Sequence, residues 1–202
     1  SLMFLGSCNL EKNPYDSVTP GDLEGDLESN IAYQLTGTYG RLKPWSEEIH
    51  RIGEYAGDNV NIRNTTTDAF FDYITYKHAE DNGRIYNFWN YSYKAIVQSN
   101  DILSLLSKET DPKWETPRGE AYFIRGLSYF YLTTVFGRPY YDSPETNLGV
   151  PINLAPSPTS MSEINAPNRS TVKECYAQAI RDLRMAEKLL KNGKSAAYAT
   201  KA

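Results

Sequence analysis

Apolar residues recur every three or four positions in four stretches of this chain, the spacing that gives a helix one buried stripe. From Leu23 to Leu42 the row is Ile31, Leu35, Thr38 and Leu42, backed by Leu27 and Tyr39, and Pro44 is expected to end the helix. From Asn87 to Leu106 the row is Trp89, Tyr93, Ile96, Asn100, Leu103 and Leu106, with Asp111-Pro112 as the break. The third stretch, "RGEAYFIRGLSYFYLTTVFGRPYYD" from Arg118 to Asp142, carries two rows. Ala121, Ile124, Ser128 and Tyr131 form one; Phe123, Leu127, Phe130 and Thr134 form the other. A helix apolar on nearly its whole circumference is enclosed by neighbours. Thr116 or Pro117 can start it, and Gly137 followed by Pro139 can end it, leaving Tyr140 and Tyr141 on extended chain. In the fourth, Ser170 or Thr171 caps a helix with Glu174 three or four residues on. Its core row is Val172, Tyr176, Ala179, Leu183, Ala186 and Leu190. Lys188, Lys191 and Lys194 suit its C-terminal end, and Gly193 stops it.

The connections are less regular. Trp45 to Tyr86 holds turn-formers at Gly57–Asn61 and Asn64–Asp68. Within it, Phe70 to Tyr76 suits a strand or a short helix, and Asp81-Asn82-Gly83 is a turn. Asp142 to Pro167 contains five prolines and reads as a long extended loop, of the kind that carries function or an interaction surface. After Gly193, "SAAYATKA" reads as the opening of a further helix, so an N-terminal piece of a longer protein is expected. The second and third helices should form an antiparallel hairpin. Tyr176-Ala-Gln-Ala179 followed by Leu183 and Ala186 is tetratricopeptide-like in style, with repeats too degenerate for a 34-residue self-match. The expected fold is mostly α: tetratricopeptide-like helical hairpins in a superhelical scaffold with long irregular loops.

Composition removes several functions. Of 202 residues, 40% are hydrophobic and 23% charged, as in an ordinary globular chain. Net charge is −4 with no basic run, which argues against nucleic-acid binding. Arg118, Glu120, Arg125 and Arg138 exclude the aromatic stretch as a membrane span. Sixteen Tyr stand against 7 Phe and 3 Trp. Tyrosine has an apolar body and a polar tip, so this excess favours wet grooves and binding surfaces. Cys8 and Cys175 could form one disulfide at most; Cys175 lies at helical spacing and reads as a small buried hydrophobe. His50 and His78 have no histidine at i+3 or i+4, so no zinc pattern, metal site or cofactor is expected. Neither a nucleophile elbow nor a phosphate loop is present. Carboxylate pairs such as Glu47 with Asp58 arise by chance among 25 acidic residues, so no catalytic residue is assigned and no enzyme is expected.

The first eight residues, "SLMFLGSC", end in Leu5-Gly6-Ser7-Cys8. This matches a bacterial lipobox, in which the cysteine thiol is acylated and the chain is cut before it. Residues 1–7 would then be residual signal peptide, Cys8 the lipidation site, and residues 8–22, with Asn13-Pro14, Thr19-Pro20 and Gly21, a polar tether. The alternative is a short apolar strand with a chance cysteine.

The 118–142 stretch followed by Gly149-Val150-Pro151-Ile152 resembles the signature of the SusD/RagB family. The matching elements are Arg118, Glu120, Ala121, Phe123, Arg125, Gly126, Tyr129, Phe130, Leu132, Phe136, Gly137 and Pro139. Feature order is also similar: lipobox and tether, "AGDNV" at 56–60, the Trp89–Asn100 helix with its Asn-x-Ile-Leu ending, Gly-Val-Pro, a capped helix, and a helix opening beside Lys194–Lys201. One departure is Arg138, where a small or acidic residue is commoner before the proline. The resemblance makes residues 23–202 the N-terminal helical region of a protein roughly twice this length or more. It implies a lipid-anchored surface protein of a Bacteroidetes outer membrane. Such a protein lies over a SusC-like TonB-dependent transporter and captures glycan, or in some members peptide, for import. A tetratricopeptide-type scaffold for protein interactions is the rival reading, and the lipobox discriminates between them.

A glycan site needs aromatic faces for sugar C–H surfaces and amides or carboxylates for hydroxyls. The irregular segment supplies both, and the candidate ligand residues are Trp45, Tyr55, Asn59, Asn61, Asn64, Asp68 and Tyr73. The competing role for its aromatics is to pin the segment onto the helices. Phe123, Phe130 and Phe136 are assigned to packing, and Arg125 with Glu120 to a buried polar pair.

Overall fold

The computed structural model describes residues 26–57, 60, 70–77, 81–164 and 166–190. Its elements in chain order are α1 (Leu27–Ala56), α2 (Phe71–Ile74), α3 (Gly83–Leu105), α4 (Glu115–Phe136), β1 (Leu148–Pro151), β2 (Arg169–Thr171) and α5 (Val172–Leu189). The tether, Cys8, and residues 191–202 lie outside the described residues.

Helix α1 starts where Asp26 accepts from the Glu28 and Ser29 N–H groups. It does not stop at Pro44 but continues to Ala56, with Gly57 after it. Pro44 lacks an N–H and sets its ring against the carbonyl of Gly40, a penalty of about 3 kcal/mol in a helix interior. Beyond it, Trp45 and Ile52 are buried and Ile49 packs onto the same core. Burying such side chains contributes about 1.5–3 kcal/mol each, so packing outweighs the missing bond. The sequence expectation failed because it weighed the local penalty without the tertiary gain.

Helix α3 begins four residues before the periodicity suggested, because Asn82 accepts from the Arg84 and Ile85 N–H groups as N-cap. Helix α4 follows through a 3₁₀ turn at Pro112–Trp114. The Arg118 guanidinium donates to the Leu106 and Glu109 carbonyls and ties the start of α4 to the end of α3. Helix α5 opens on a reciprocal capping box between Thr171 and Glu174. Thr171→Ala should lower stability by about 1 kcal/mol; a urea titration that leaves the midpoint unmoved would count against this role for the cap.

The helices pack as successive antiparallel neighbours. At one end, Ile31 and Leu35 of α1 meet Ile102 and Leu106, with Trp114 and Ala121. At the other, Trp45 stacks on Phe88, centroids 5.9 Å apart. Helices α4 and α5 approach closely at Gly126. A Cβ there would stand 3.0 Å from the Ala179 carbonyl oxygen and from Asp182 and Leu183 side-chain atoms, so glycine sets the spacing. This is the tetratricopeptide-like helical arrangement expected.

Three expectations are corrected. The 142–167 stretch is not wholly extended loop: β1 pairs antiparallel with β2, and a 3₁₀ turn spans Met161–Glu163. Cys175 lies under this ribbon, its thiol at 3.3 Å from both the N–H and the carbonyl of Val150. Arg125 pairs with Asp182 of α5 rather than with Glu120. Residues 120 and 125 are five apart, off the i+3 and i+4 spacings at which helical side chains meet. Phe130 is exposed, edge-on to Tyr131 and Tyr176, instead of buried. Phe123 and Phe136 are partly buried against the core. Among the described residues no helix is long and apolar enough to cross a membrane.

Candidate binding surface

The second half of α1, which Pro44 does not interrupt, brings the early aromatics against α2, α3 and α4. Tyr55 stacks flat on Phe70, centroids 4.8 Å apart and 8° between planes, and Phe70 tilts against Tyr73 at 5.8 Å. Arg51 and Arg84 lie over the Phe70 ring at 5.7 and 5.1 Å. Arg84 also donates to the buried Glu48 carboxylate at 2.9 Å. Phe71–Ile74 is a single helical turn, which settles the strand-or-helix ambiguity. Tyr76 follows it in the left-handed region at φ 54°, its hydroxyl donating to the Ala56 carbonyl at 3.0 Å.

Next to this aromatic stack lies a cavity of 600 Å³. Ile49, Ile52, Gly53 and Ala56 of α1 form one wall, and Tyr131, Thr134, Val135 and Phe136 of α4 the opposite one; Tyr73 and Ile85 close it. The volume falls within the range of ligand pockets, which are mostly apolar with few polar groups. Here the hydroxyl-bearing residues of the lining are Tyr73, Tyr131 and Thr134, the last donating to the Phe130 carbonyl at 2.9 Å. Burial, then the nearby Glu48 and Asp72 carboxylates, pushes the Tyr73 phenol above its ordinary value, so it stays protonated as a donor. Beside the α1 wall, Trp45 Nε1 and Glu48 Oε2 are buried without a hydrogen-bond partner among the described residues.

The seven candidates from the sequence divide accordingly. Tyr73 lines the cavity and Tyr55 lies half-buried in the adjoining stack. Trp45 is only 4% exposed, clamped between Phe88 and the edge of Tyr131 at 5.2 Å, so its ring faces are taken by packing. Asn59, Asn61, Asn64 and Asp68 lie outside the described residues. The sequence does not single out the α4 wall of this cavity. Its residues read as core because the pattern cannot show that the neighbouring helix stands back there. Among the described residues, no three His, Cys, Asp or Glu side chains cluster as a metal site would need.

Residues 10–202 match a SusD-like family model described as "Starch-binding associating with outer membrane". SusD-like protein P2 of Formosa agariphila is 25% identical over 199 residues, covering 94% of this chain and 36% of that protein. A SusD superfamily structure from Bacteroides thetaiotaomicron matches at 30% identity and a TM-score of 0.66, covering 80% of this chain and 37% of the other. A Bacteroides vulgatus structure described as a sugar-binding protein matches at 29% identity and a TM-score of 0.67, over 80% and 37%. The chain thus spans little more than a third of the length of these relatives.

Proposed function

This chain belongs to the SusD-like family, associated with the outer membrane, and from that premise we propose that it is the helical scaffold region of a surface glycan-binding lipoprotein. It captures oligosaccharide and passes it to a partner SusC-like TonB-dependent transporter, without catalysing a reaction. The observation that carries this is the 600 Å³ cavity, walled by Tyr73, Tyr131 and Phe136 and flanked by the Tyr55–Phe70 stack. Aromatic walls suit the C–H faces of sugars, and the Tyr73 phenol as donor and the Thr134 hydroxyl as acceptor suit their hydroxyls.

Gly53 offers a clean test. It lines the cavity, and a Cβ added there meets no heavy atom within 4 Å. Gly53→Phe should fill the cavity while removing a poor helix former. Oligosaccharide affinity should fall at least tenfold in calorimetric titration, with the melting temperature unchanged or raised. Unchanged affinity would remove the cavity from the binding surface. The aliphatic lining, Ile49, Ile52, Ala56 and Val135, is the one observation favouring a peptide-binding member, since it would seat an apolar side chain. Parallel titration with peptides separates the two.

Residues 1–7 are proposed as residual signal peptide, 8–22 as the tether and 23–202 as the scaffold. Cys8→Ala should abolish incorporation of labelled palmitate and release the protein from the membrane fraction; labelling that persists would place the anchor elsewhere. Co-purification of a large β-barrel from native outer membranes would support the transporter partnership.

A further inference from the structure

On the face formed by α1 and α3 a second, smaller groove differs in chemistry from the apolar cavity. Its volume is 330 Å³, at the small end of ligand pockets. Arg41 of α1 lines it together with Asn90, Tyr93, Lys94, Val97 and Gln98 of α3. The α3 residues fall at successive three- and four-residue steps, so they form one stripe. The buried Phe88, Ser92, Ala95, Ile96, Ser99 and Ile102 occupy the inward part of the same helix.

Resting on the glycan reading above, we propose that this groove is a subsite for an anionic sugar, one bearing a carboxylate or a sulfate. Three observations carry this. First, the lining holds two cations and no carboxylate, in a chain of net charge −4. Among the described residues neither Arg41 nor Lys94 makes an ion pair, so no carboxylate neutralises the two cations of the lining. An anion in the groove gains charge-assisted hydrogen bonds from these cations.

Second, Gln98 Oε1 is buried with no hydrogen-bond partner among the described residues. A buried acceptor left unmet is costly, and rotation of the Gln98 side chain toward the groove would let a sugar hydroxyl donate to it. The Asn90 amide lies on the same stripe and supplies both a donor and an acceptor.

Third, the floor is rigid. The Tyr93 hydroxyl donates to the Pro151 carbonyl at 2.7 Å, and its ring packs on Trp89 at 4.7 Å. With Val97 it offers a preorganised apolar face for one side of a pyranose, whose charged substituent then meets Arg41 and Lys94. The 600 Å³ cavity has no cation in its lining, so the two surfaces select different sugars.

The test uses the full chain on immobilised starch and xylan as neutral probes, and on polygalacturonate, alginate and chondroitin sulfate as anionic ones. The expected result is retention of at least one anionic polymer. That retention should fall steeply between 50 and 200 mM salt, as charge-driven binding does. Arg41→Gln with Lys94→Gln should reduce it at least tenfold without altering the melting temperature or any neutral binding. Gln98→Leu should weaken it several-fold with the salt dependence intact. Retention of anionic polymer unaffected by the double substitution would overturn the subsite. Retention of neutral polymers alone would overturn it while leaving glycan capture in place. Retention of none would overturn both.

Discussion

Arg125→Ala should destabilise the protein by about 3–5 kcal/mol, the loss typical when one partner of a buried ion pair is removed. Arg125 is 7% exposed and Asp182 2%. The guanidinium grips the Asp182 carboxylate in a fork, Nε to Oδ2 at 2.8 Å and Nη2 to Oδ1 at 2.7 Å. Its remaining arm donates to Asn100 Oδ1 at 2.7 Å. Asn100 in turn donates to the Asn153 and Ala155 carbonyls at 3.0 and 2.9 Å. The Tyr129 hydroxyl accepts from the Asn153 N–H and donates to its carbonyl, both at 2.8 Å. One charge thereby joins α3, α4, α5 and the 153–155 segment. Removing it strands Asp182 and frees Asn100. Arg125→Lys should recover only part of the loss, since an ammonium cannot reproduce the fork. Urea unfolding of both variants is the measurement. A change below about 1 kcal/mol for Arg125→Ala would mean that water replaces the guanidinium and that the pair is not the joint described.

Trp45→Ala should cost a similar amount, about 3–5 kcal/mol, as truncations of buried Trp and Phe do. The ring fills the space between Phe88 and Tyr131. Its loss opens the core directly after Pro44, where packing is what carries α1 past the proline. The helix beyond residue 44 should therefore fray, seen as lower far-ultraviolet ellipticity and faster amide exchange over Trp45–Ala56. Any fall in glycan affinity in this variant would follow from that fraying, because the same residues wall the cavity. Gly53→Phe separates binding from folding; Trp45→Ala does not. A fully helical, stable Trp45→Ala protein would show that α1 does not depend on this contact.

The sequence by itself determined the helices whose apolar period is strong: the α3 row, the α4 rows, and α5 with its Thr171–Glu174 box. These are local signals. Spacing of three and four, a capping side chain and a terminating glycine act within a few residues of one another. The signature from Arg118 to Ile152 also sufficed to indicate the family, because most of its residues lie within one helix and the turn that ends it. Tertiary structure alone decided the rest. It carried α1 through Pro44, since the compensating burial comes from α3 and α4. Asp182, rather than Glu120, became the partner of Arg125, since the partner arrives from another helix 57 residues away. The same aromatic and aliphatic residues became core at Trp45 and cavity wall at Tyr131. An apolar side chain looks alike in sequence whether its neighbour helix closes on it or stands away, and only the packing of the helices makes that choice.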